Sequence, residues 1–192
     1  DCLSLPSLYK DSQSRYHARS LDVPVQTLVA VRSTTIAAAL EAFHPDVFIV
    51  DNVPRGAQHE LDRTLARLRH GGRTRCILGL RDVMDEPGLL APEWERKNAV
   101  PALRDLFDDI WVYGLPQICD PLAGIDLPRS VRNKMTYTGY LPRSLPHALL
   151  PMTPLIKIKE PFLLVTTGGG GDGEGVIDWV LRAYEYDHAM PH

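Results

Sequence analysis

Short apolar runs alternate with amphipathic segments along most of the chain. Four runs are continuous and rich in β-branched or aromatic residues: VFIV (47–50), CILGL (76–80), IWVY (110–113) and FLLV (162–165). They lack the alternation of apolar and polar residues that marks a strand with one solvent-exposed face. Continuous apolar runs of this kind are typical of strands buried on both faces of a parallel sheet. Two weaker strands are predicted at TYTGY (136–140) and CLSL (2–5).

The segments between these runs predict amphipathic helices. Their apolar stripes are Val29, Ile36, Leu40 and Phe43; Leu61, Leu65 and Leu68; Trp94, Ala99, Leu103 and Leu106; and Val176, Ile177, Val180, Leu181 and Tyr184. The first helix should end before Pro45 and the second at Gly71 and Gly72, since glycine commonly follows a helix C-terminus. Strands that alternate with helices predict an α/β fold with a parallel sheet, right-handed crossovers and these stripes in its core.

A proline-rich stretch interrupts this alternation. Between Tyr140 and Phe162 lie Pro142, Pro146, Pro151, Pro154 and Pro161, with no steady periodicity. Proline fixes φ and removes a hydrogen-bond donor, so the stretch suits an extended linker better than a helix or strand. We predict a first domain over residues 1–143, a linker over 144–160, and the start of a second α/β domain over 161–192.

Composition narrows the class of protein. The net charge is −3 and 44% of the residues are apolar, which favours a globular core and no nucleic-acid partner. Cys2, Cys76 and Cys119 are odd in number and widely spaced, so we expect reduced thiols in a cytoplasmic protein and no disulfide framework. The histidines show no metal-ligand spacing, and no metal site is predicted. No run approaches the roughly 20 apolar residues of a membrane span.

The glycine loop that follows FLLV is the strongest candidate for chemistry. A strand, a glycine loop and a helix point free backbone N–H groups at an anion. The candidate diphosphate-binding residues are Thr167, Gly168, Gly169, Gly170, Gly171, Asp172 and Gly173. The loop has no lysine for a P-loop, and no acidic strand end follows it, so dinucleotide binding is weakly supported. A flexible glycine-rich turn is the alternative.

Polar residues at the ends of the predicted strands form a second candidate site. Because the carboxyl ends of parallel strands line one crevice, five side chains could converge there: Asp51, Arg55, Arg81, Asp82 and Tyr113. Either aspartate could act as a general base on a hydroxyl, and an arginine could bind an anionic group. The alternative is an Arg–Asp ion pair that braces the loops.

Five motifs in order resemble one known family. They are HPDVFIVDNVPRGAQHEL (44–61), ILGLRDVMDEP (77–87), DDIWVYG (108–114), YTGYLPR (137–143) and LLVTTGGGGDG (163–173). Together they resemble predicted bacterial glycosyltransferases that are related to the lipid-II-forming N-acetylglucosaminyltransferase and are similar to glycosyltransferase family 28. Such enzymes have the GT-B architecture, in which two Rossmann-like domains face each other across a cleft.

The resemblance implies that the two domains bind different substrates. The first domain would take the acceptor, with Asp51 and Asp82 as catalytic candidates and Arg55, Arg81 and Tyr113 on the acceptor side. The second would bind the diphosphate of a nucleotide-sugar donor at its glycine loop, with no bound metal or cofactor. The family's opening glycine loop and most of its donor domain have no counterpart, so the resemblance implies a chain truncated at both ends and inactive by itself.

The expected activity is transfer of a sugar from a nucleotide-diphosphate donor to an acceptor hydroxyl. Nucleotide-sugar epimerases have the same fold, so an epimerase is the first alternative function. A non-catalytic nucleotide-sugar-binding or partner module is the second. A lipid-linked acceptor would place the protein peripherally at the inner face of the membrane. The basic segment LARLRHGGRTR (65–75) could then contact anionic lipid headgroups, although complementing the negative end of a helix dipole is the simpler explanation.

Overall fold

The computed structural model of the chain describes residues 2–11, 15–19, 21–84, 87–142, 161–167 and 173–187. The chain divides into two compact units, Asp1–Pro142 and Arg143–His192. The predicted linker, residues 144–160, lies outside the described residues.

The first unit is α/β. Its strands are β1 (Leu8–Lys10), β2 (Tyr16–Ala18), β3 (Val47–Asp51), β4 (Arg75–Arg81), β5 (Asp109–Tyr113) and β6 (Met135–Tyr137). Its helices are α1 (Val25–Phe43), α2 (Asp62–Gly71), α3 (Pro87–Arg96), α4 (Ala99–Leu106) and α5 (Arg129–Arg132), with a short 3-10 helix at Ala57–His59. Strands β3, β4, β5 and β6 form a parallel sheet in that order, an arrangement consistent with a Rossmann-like fold.

The core of this unit lies on the central strands. All five residues from Cys76 to Leu80 are buried, as the continuous apolar run predicts. Helices α2, α3 and α4 cover the sheet with Leu65, Trp94 and Leu103, which are at most 5% exposed. The predicted strands at 47–50, 76–80 and 110–113 are confirmed, and 136–140 is confirmed in its first two residues. Burial on both faces is confirmed for β4, but it is wrong for β3, an edge strand in which Val47 and Ile49 are 48% and 47% exposed.

The helix ends follow local chemistry. Helix α1 ends at Phe43, where His44 turns left-handed at φ 50° ahead of Pro45. Helix α2 ends at Gly71, and Gly72 adopts φ 63°, the conformation in which glycine has no steric cost. Phe43 is 79% exposed, so its predicted place in the core is wrong: it is the last residue of α1, where the chain turns away.

The predicted third stripe is divided between two helices. Trp94 belongs to α3, whereas Ala99 and Leu103 belong to α4, and Asn98 separates them at φ 50°. All three apolar side chains are nevertheless buried. The stripe therefore predicted the buried face correctly and missed the break, because asparagine tolerates the left-handed conformation and gives no strong helix-stop signal.

The N-terminal residues differ from the expectation. The predicted strand at 2–5 has no regular structure, and the first strands are β1 and β2, which pair as an antiparallel hairpin. Each of these strands has only three residues and carries polar side chains. Segments this short show no measurable period, so the pattern of apolar residues could not predict them.

The second unit contains α6 (Glu174–Tyr186), the helix that the fourth stripe predicts. The predicted strand at 162–165 is wrong, because these residues have no regular structure and Leu164 is 74% exposed. The prediction that the fourth stripe lies in a core is also wrong, since α6 has no buried residue. A strand needs hydrogen-bonded neighbours, and the described residues of this unit supply none.

Candidate functional site

Three of the predicted residues end adjacent parallel strands. Asp51 is the last residue of β3, Arg81 of β4 and Tyr113 of β5. In the register, Asp51 lies beside Gly79, and Arg81 lies beside Tyr113. Since side chains alternate between the faces of a sheet, all three project from the same face at its carboxyl edge. The structure thus brings together the strand ends that the sequence predicts to converge.

Asp51 and Arg81 form a loose ion pair. The distance from Arg81 Nη2 to Asp51 Oδ2 is 3.8 Å, and the two side chains are 65% and 68% exposed. An ion pair this long and this exposed contributes little to stability. Both groups are therefore accessible to a ligand as well as to each other.

Tyr113 lies across Gly79 in the neighbouring strand. A Cβ atom at Gly79 would stand 2.1 Å from the Tyr113 hydroxyl oxygen, so the ring occupies the space that any other residue would fill. Burial raises the pKa of the Tyr113 phenol, and the negative charge of Asp51 raises it further. The phenol therefore stays protonated beside Asp51 and remains a hydrogen-bond donor.

Asp82 is held on both carboxylate oxygens. Oδ1 accepts the Val83 backbone N–H at 2.9 Å, and Oδ2 accepts the Tyr140 hydroxyl at 2.5 Å. The hydrogen bond from Tyr140, followed by the one from Val83, holds the pKa of Asp82 below its usual range. Tyr140 is a site residue that the sequence did not single out, because 58 positions separate it from Asp82.

Arg55 does not join the strand-end residues. Its Nε and Nη2 donate to the two carboxylate oxygens of Asp62 at 2.7 and 2.5 Å. This hydrogen bonding raises the pKa of the Arg55 guanidinium. Asp62, a bidentate partner, therefore already neutralises the positive charge of Arg55. The predicted role of Arg55, to bind an anionic group of the acceptor, stays a prediction.

The loop that joins β3 to α2 is conformationally unusual. Asn52, Gln58 and His59 all have positive φ, at 61°, 52° and 64°. The Asn52 side-chain oxygen is buried and has no hydrogen-bond partner among the described residues. Left-handed non-glycine residues are uncommon and concentrate at functional sites, and this loop begins at the strand end that carries Asp51.

A partly buried ion pair anchors this loop to the first helix. Arg32 in α1 donates to the carboxylate of Glu60 at 2.5 and 2.9 Å and to the Pro6 carbonyl oxygen at 2.7 Å. Glu60 is 6% exposed, so removal of either partner would leave a charge without compensation. No signal in the sequence indicated this pair, because its members lie in different elements.

The glycine loop is described only at its two ends. Thr167 is exposed, and Gly173 precedes the first residue of α6. A Cβ atom at Gly173 would stand 2.2 Å from Thr167 Cβ, so the residues that flank the loop pack against each other. The five residues between them, 168–172, lie outside the described residues, and their assignment to a diphosphate stays a prediction.

The basic segment at residues 65–75 is largely paired with carboxylates. Arg67 contacts Glu41, Arg69 contacts Asp108, and Arg75 contacts Asp109. These partners weaken the positive field that an anionic membrane would need. Across the described ranges, no group of three or more His, Cys, Asp or Glu side chains is placed to hold a metal ion. In the same ranges, no helix has both the length and the apolar character of a membrane span.

Comparisons with protein-family models, with curated proteins and with solved structures gave no match. The case for any function therefore rests on the sequence motifs and on the geometry of the strand-end residues.

Proposed function

We propose that the chain is part of a GT-B glycosyltransferase, which transfers a sugar from a nucleotide-diphosphate donor to an acceptor hydroxyl. In this proposal the first unit binds the acceptor at the carboxyl edge of its sheet. The observation that carries the proposal is Asp82, a carboxylate fixed on both oxygens yet open to solvent at the end of a parallel strand. The order of the five sequence motifs supports it.

Asp82 would receive the proton of the acceptor. The acceptor hydroxyl donates a hydrogen bond to Asp82, and its oxygen attacks the anomeric carbon of the donor sugar. A new carbon–oxygen bond forms while the bond from that carbon to the phosphate oxygen breaks, and the diphosphate leaves with the electron pair. A carboxylate whose pKa is lowered is a weak base, so Asp82 orients the hydroxyl first and takes its proton late, when the oxygen is already acidic.

A test of this role compares Asp82→Asn with Asp105→Asn. Both changes remove a carboxylate that a neighbouring side chain contacts, but Asp105 lies in α4 and pairs with Arg104. In the full-length enzyme, release of nucleoside diphosphate from UDP- and TDP-sugars is measured in the presence of hexose acceptors. Loss of a general base typically costs 10² to 10⁴ in rate, so Asp82→Asn should be slower by about that factor and Asp105→Asn unchanged. Full activity of Asp82→Asn would contradict the role, whereas nucleotide binding without sugar release would favour the non-catalytic module.

The donor side of the proposal rests on the glycine loop. Gly169→Val should prevent close approach of a diphosphate to the backbone. Each N–H bond to a charged phosphate is worth about 1.5–3 kcal/mol, so losing two weakens binding by roughly two to four powers of ten. Gly175→Ala is the matched control, because a Cβ atom there meets no neighbour within 4 Å. Calorimetric titration of the full-length enzyme with UDP and with TDP compares both variants with the wild type, and equal affinities would identify the glycines as a turn.

A further inference from the structure

The surroundings of Asp82 restrain a side chain that would otherwise rotate freely. An exposed carboxylate is normally hydrated and samples several rotamers. Here each oxygen accepts a hydrogen bond from the protein, one from the Val83 backbone and one from the Tyr140 hydroxyl. The carboxylate keeps lone pairs that can accept hydrogen bonds from a ligand. The side chain is thus oriented without being blocked.

The approach of Tyr140 to Asp82 depends on two glycines. A Cβ atom at Gly114 would stand 2.3 Å from Asp82 Cβ, so only glycine allows the chain after β5 to pass this close. The Gly139 N–H then donates to the Gly114 carbonyl oxygen at 3.1 Å, beyond the end of β6. Gly139 has φ 71°, a left-handed conformation that turns the chain there and presents Tyr140 to Asp82.

No cation competes for this carboxylate within the described parts of the chain. Arg81, the adjacent residue, pairs with Asp51 instead, and the charge of Asp82 is offset by neutral donors alone. The hydrogen bond to Asp82 raises the pKa of the Tyr140 phenol, while the same bond lowers the pKa of Asp82. Near neutral pH the pair therefore consists of a carboxylate and a protonated phenol.

We propose that Tyr140 is a positioning residue: its hydroxyl fixes the Asp82 carboxylate so that the free lone pairs of this carboxylate accept the hydroxyl groups of a sugar. This inference rests on the proposed function, because it specifies how the acceptor side would hold its substrate. The ligand chemistry is a neutral polyol, since the remaining lone pairs of a fixed carboxylate accept hydrogen bonds from hydroxyl donors.

The test compares Tyr140→Phe with Tyr137→Phe. Both changes remove a phenolic hydroxyl, but Tyr137 lies in β6 and packs against the core instead of bonding Asp82. The Asp82 carboxyl carbon is followed by NMR as the pH is lowered. Without the donor the charged form loses stabilisation, so the pKa of Asp82 should rise towards its ordinary value in Tyr140→Phe and stay unchanged in Tyr137→Phe.

Two further measurements make the result decisive. Asp82→Asn should lower the pKa of the Tyr140 phenol, measured by ultraviolet titration, because the carboxylate that raises it is gone. Titration with free N-acetylglucosamine should show about tenfold weaker binding in Tyr140→Phe, the effect of one hydrogen bond to a charged group. The affinity should also fall at a higher pH on acidification than in the wild type, in step with the raised pKa of Asp82.

The outcomes separate this inference from the proposed function. Equal Asp82 pKa values in the wild type and Tyr140→Phe would overturn the positioning role, as would unchanged affinity for N-acetylglucosamine. A shifted pKa in a wild-type protein that binds no N-acetylglucosamine would support the Tyr140–Asp82 pair and contradict the sugar-binding function.

Discussion

The two units of the chain carry the same sequence pattern and bury it differently. In the first unit, CILGL becomes the buried centre of β4, between β3 and β5. In the second, FLLV has no regular structure, and its four side chains are 36% to 74% exposed. Helix α4 buries Leu103 completely, whereas α6 leaves Leu181 60% exposed. An apolar run therefore indicates which residues can form a buried strand, and the neighbouring elements decide whether they do.

The largest expected effect tests this contrast directly. Leu103→Ala should lower the free energy of unfolding by about 2–5 kcal/mol, because it leaves a cavity at a fully buried site. Leu181→Ala should change it by no more than about 0.5 kcal/mol, as expected of an exposed position. Urea denaturation of the two variants provides both values. A comparable loss in Leu181→Ala would mean that the apolar face of α6 is covered in solution.

The C-terminal ends of α4 and α6 differ in the same way as their burial. The Lys134 ammonium group donates to three backbone carbonyl oxygens around the end of α4, those of Leu103, Arg104 and Phe107, at 2.6 to 3.2 Å. The last turn of α6 contains no basic residue. Lys134→Met should lower the free energy of unfolding by about 1.5–3 kcal/mol, since these acceptors lose a charged donor.

The control for Lys134 is Lys97→Met. Lys97 pairs with Glu93 one turn away in sequence, and pairs of this kind are worth only about 0.2–0.5 kcal/mol. Thermal melts of the two variants should therefore differ clearly. Similar melting temperatures would show that the three carbonyl contacts add no more than a surface ion pair.

Each unit contains a tightly packed glycine, and the loss of stability on adding one methyl group can be compared between the two. Gly114→Ala forces a contact with Asp82 Cβ and should cost about 1–3 kcal/mol, because the ends of β4 and β5 cannot separate. Gly173→Ala forces a similar contact with Thr167 Cβ, but residues 161–167 are exposed and unpaired with a strand, so the cost should be smaller. Equal losses of stability in urea would show that Thr167 is held as firmly as Asp82.

The smallest effect is spectroscopic. Trp94 is 5% exposed in the first unit, and Trp179 is 77% exposed in the second. Acrylamide should quench Trp179 readily and Trp94 poorly. Trp179→Phe should therefore remove most of the easily quenched fluorescence without altering the melting temperature, and persistence of that fluorescence would contradict the exposure of α6.

Much of the first unit could be predicted because its signals are local. The continuous runs in β3, β4 and β5 identify strands of a sheet, although only β4 is buried along its whole run. Gly72 marks the end of α2 through its own conformational freedom. The place of Asp51 at the sheet edge follows from the same signals, because parallel strands end on one side. The hairpin of β1 and β2 was missed, since three-residue strands are too short to show a period.

Long-range pairings were not predictable from local patterns. The bond between Tyr140 and Asp82 and the ion pair between Arg32 and Glu60 join elements that only the folded sheet brings together. The exposure of α6 was not predicted for a related reason. Its periodicity correctly indicated a helix, whereas its burial depends on neighbours that the stripe itself does not specify.

The strand order of the sheet has a consequence for how the protein is made. Strands β3, β4, β5 and β6 lie side by side in the order in which a ribosome would synthesise them. Each new strand can dock on the one just completed, so the nascent sheet grows outward from β3 without waiting for a distant partner. A nascent chain that has emerged from the ribosome only as far as Tyr113 would leave β5 as a temporary edge, open to chaperones and to pairing with another copy.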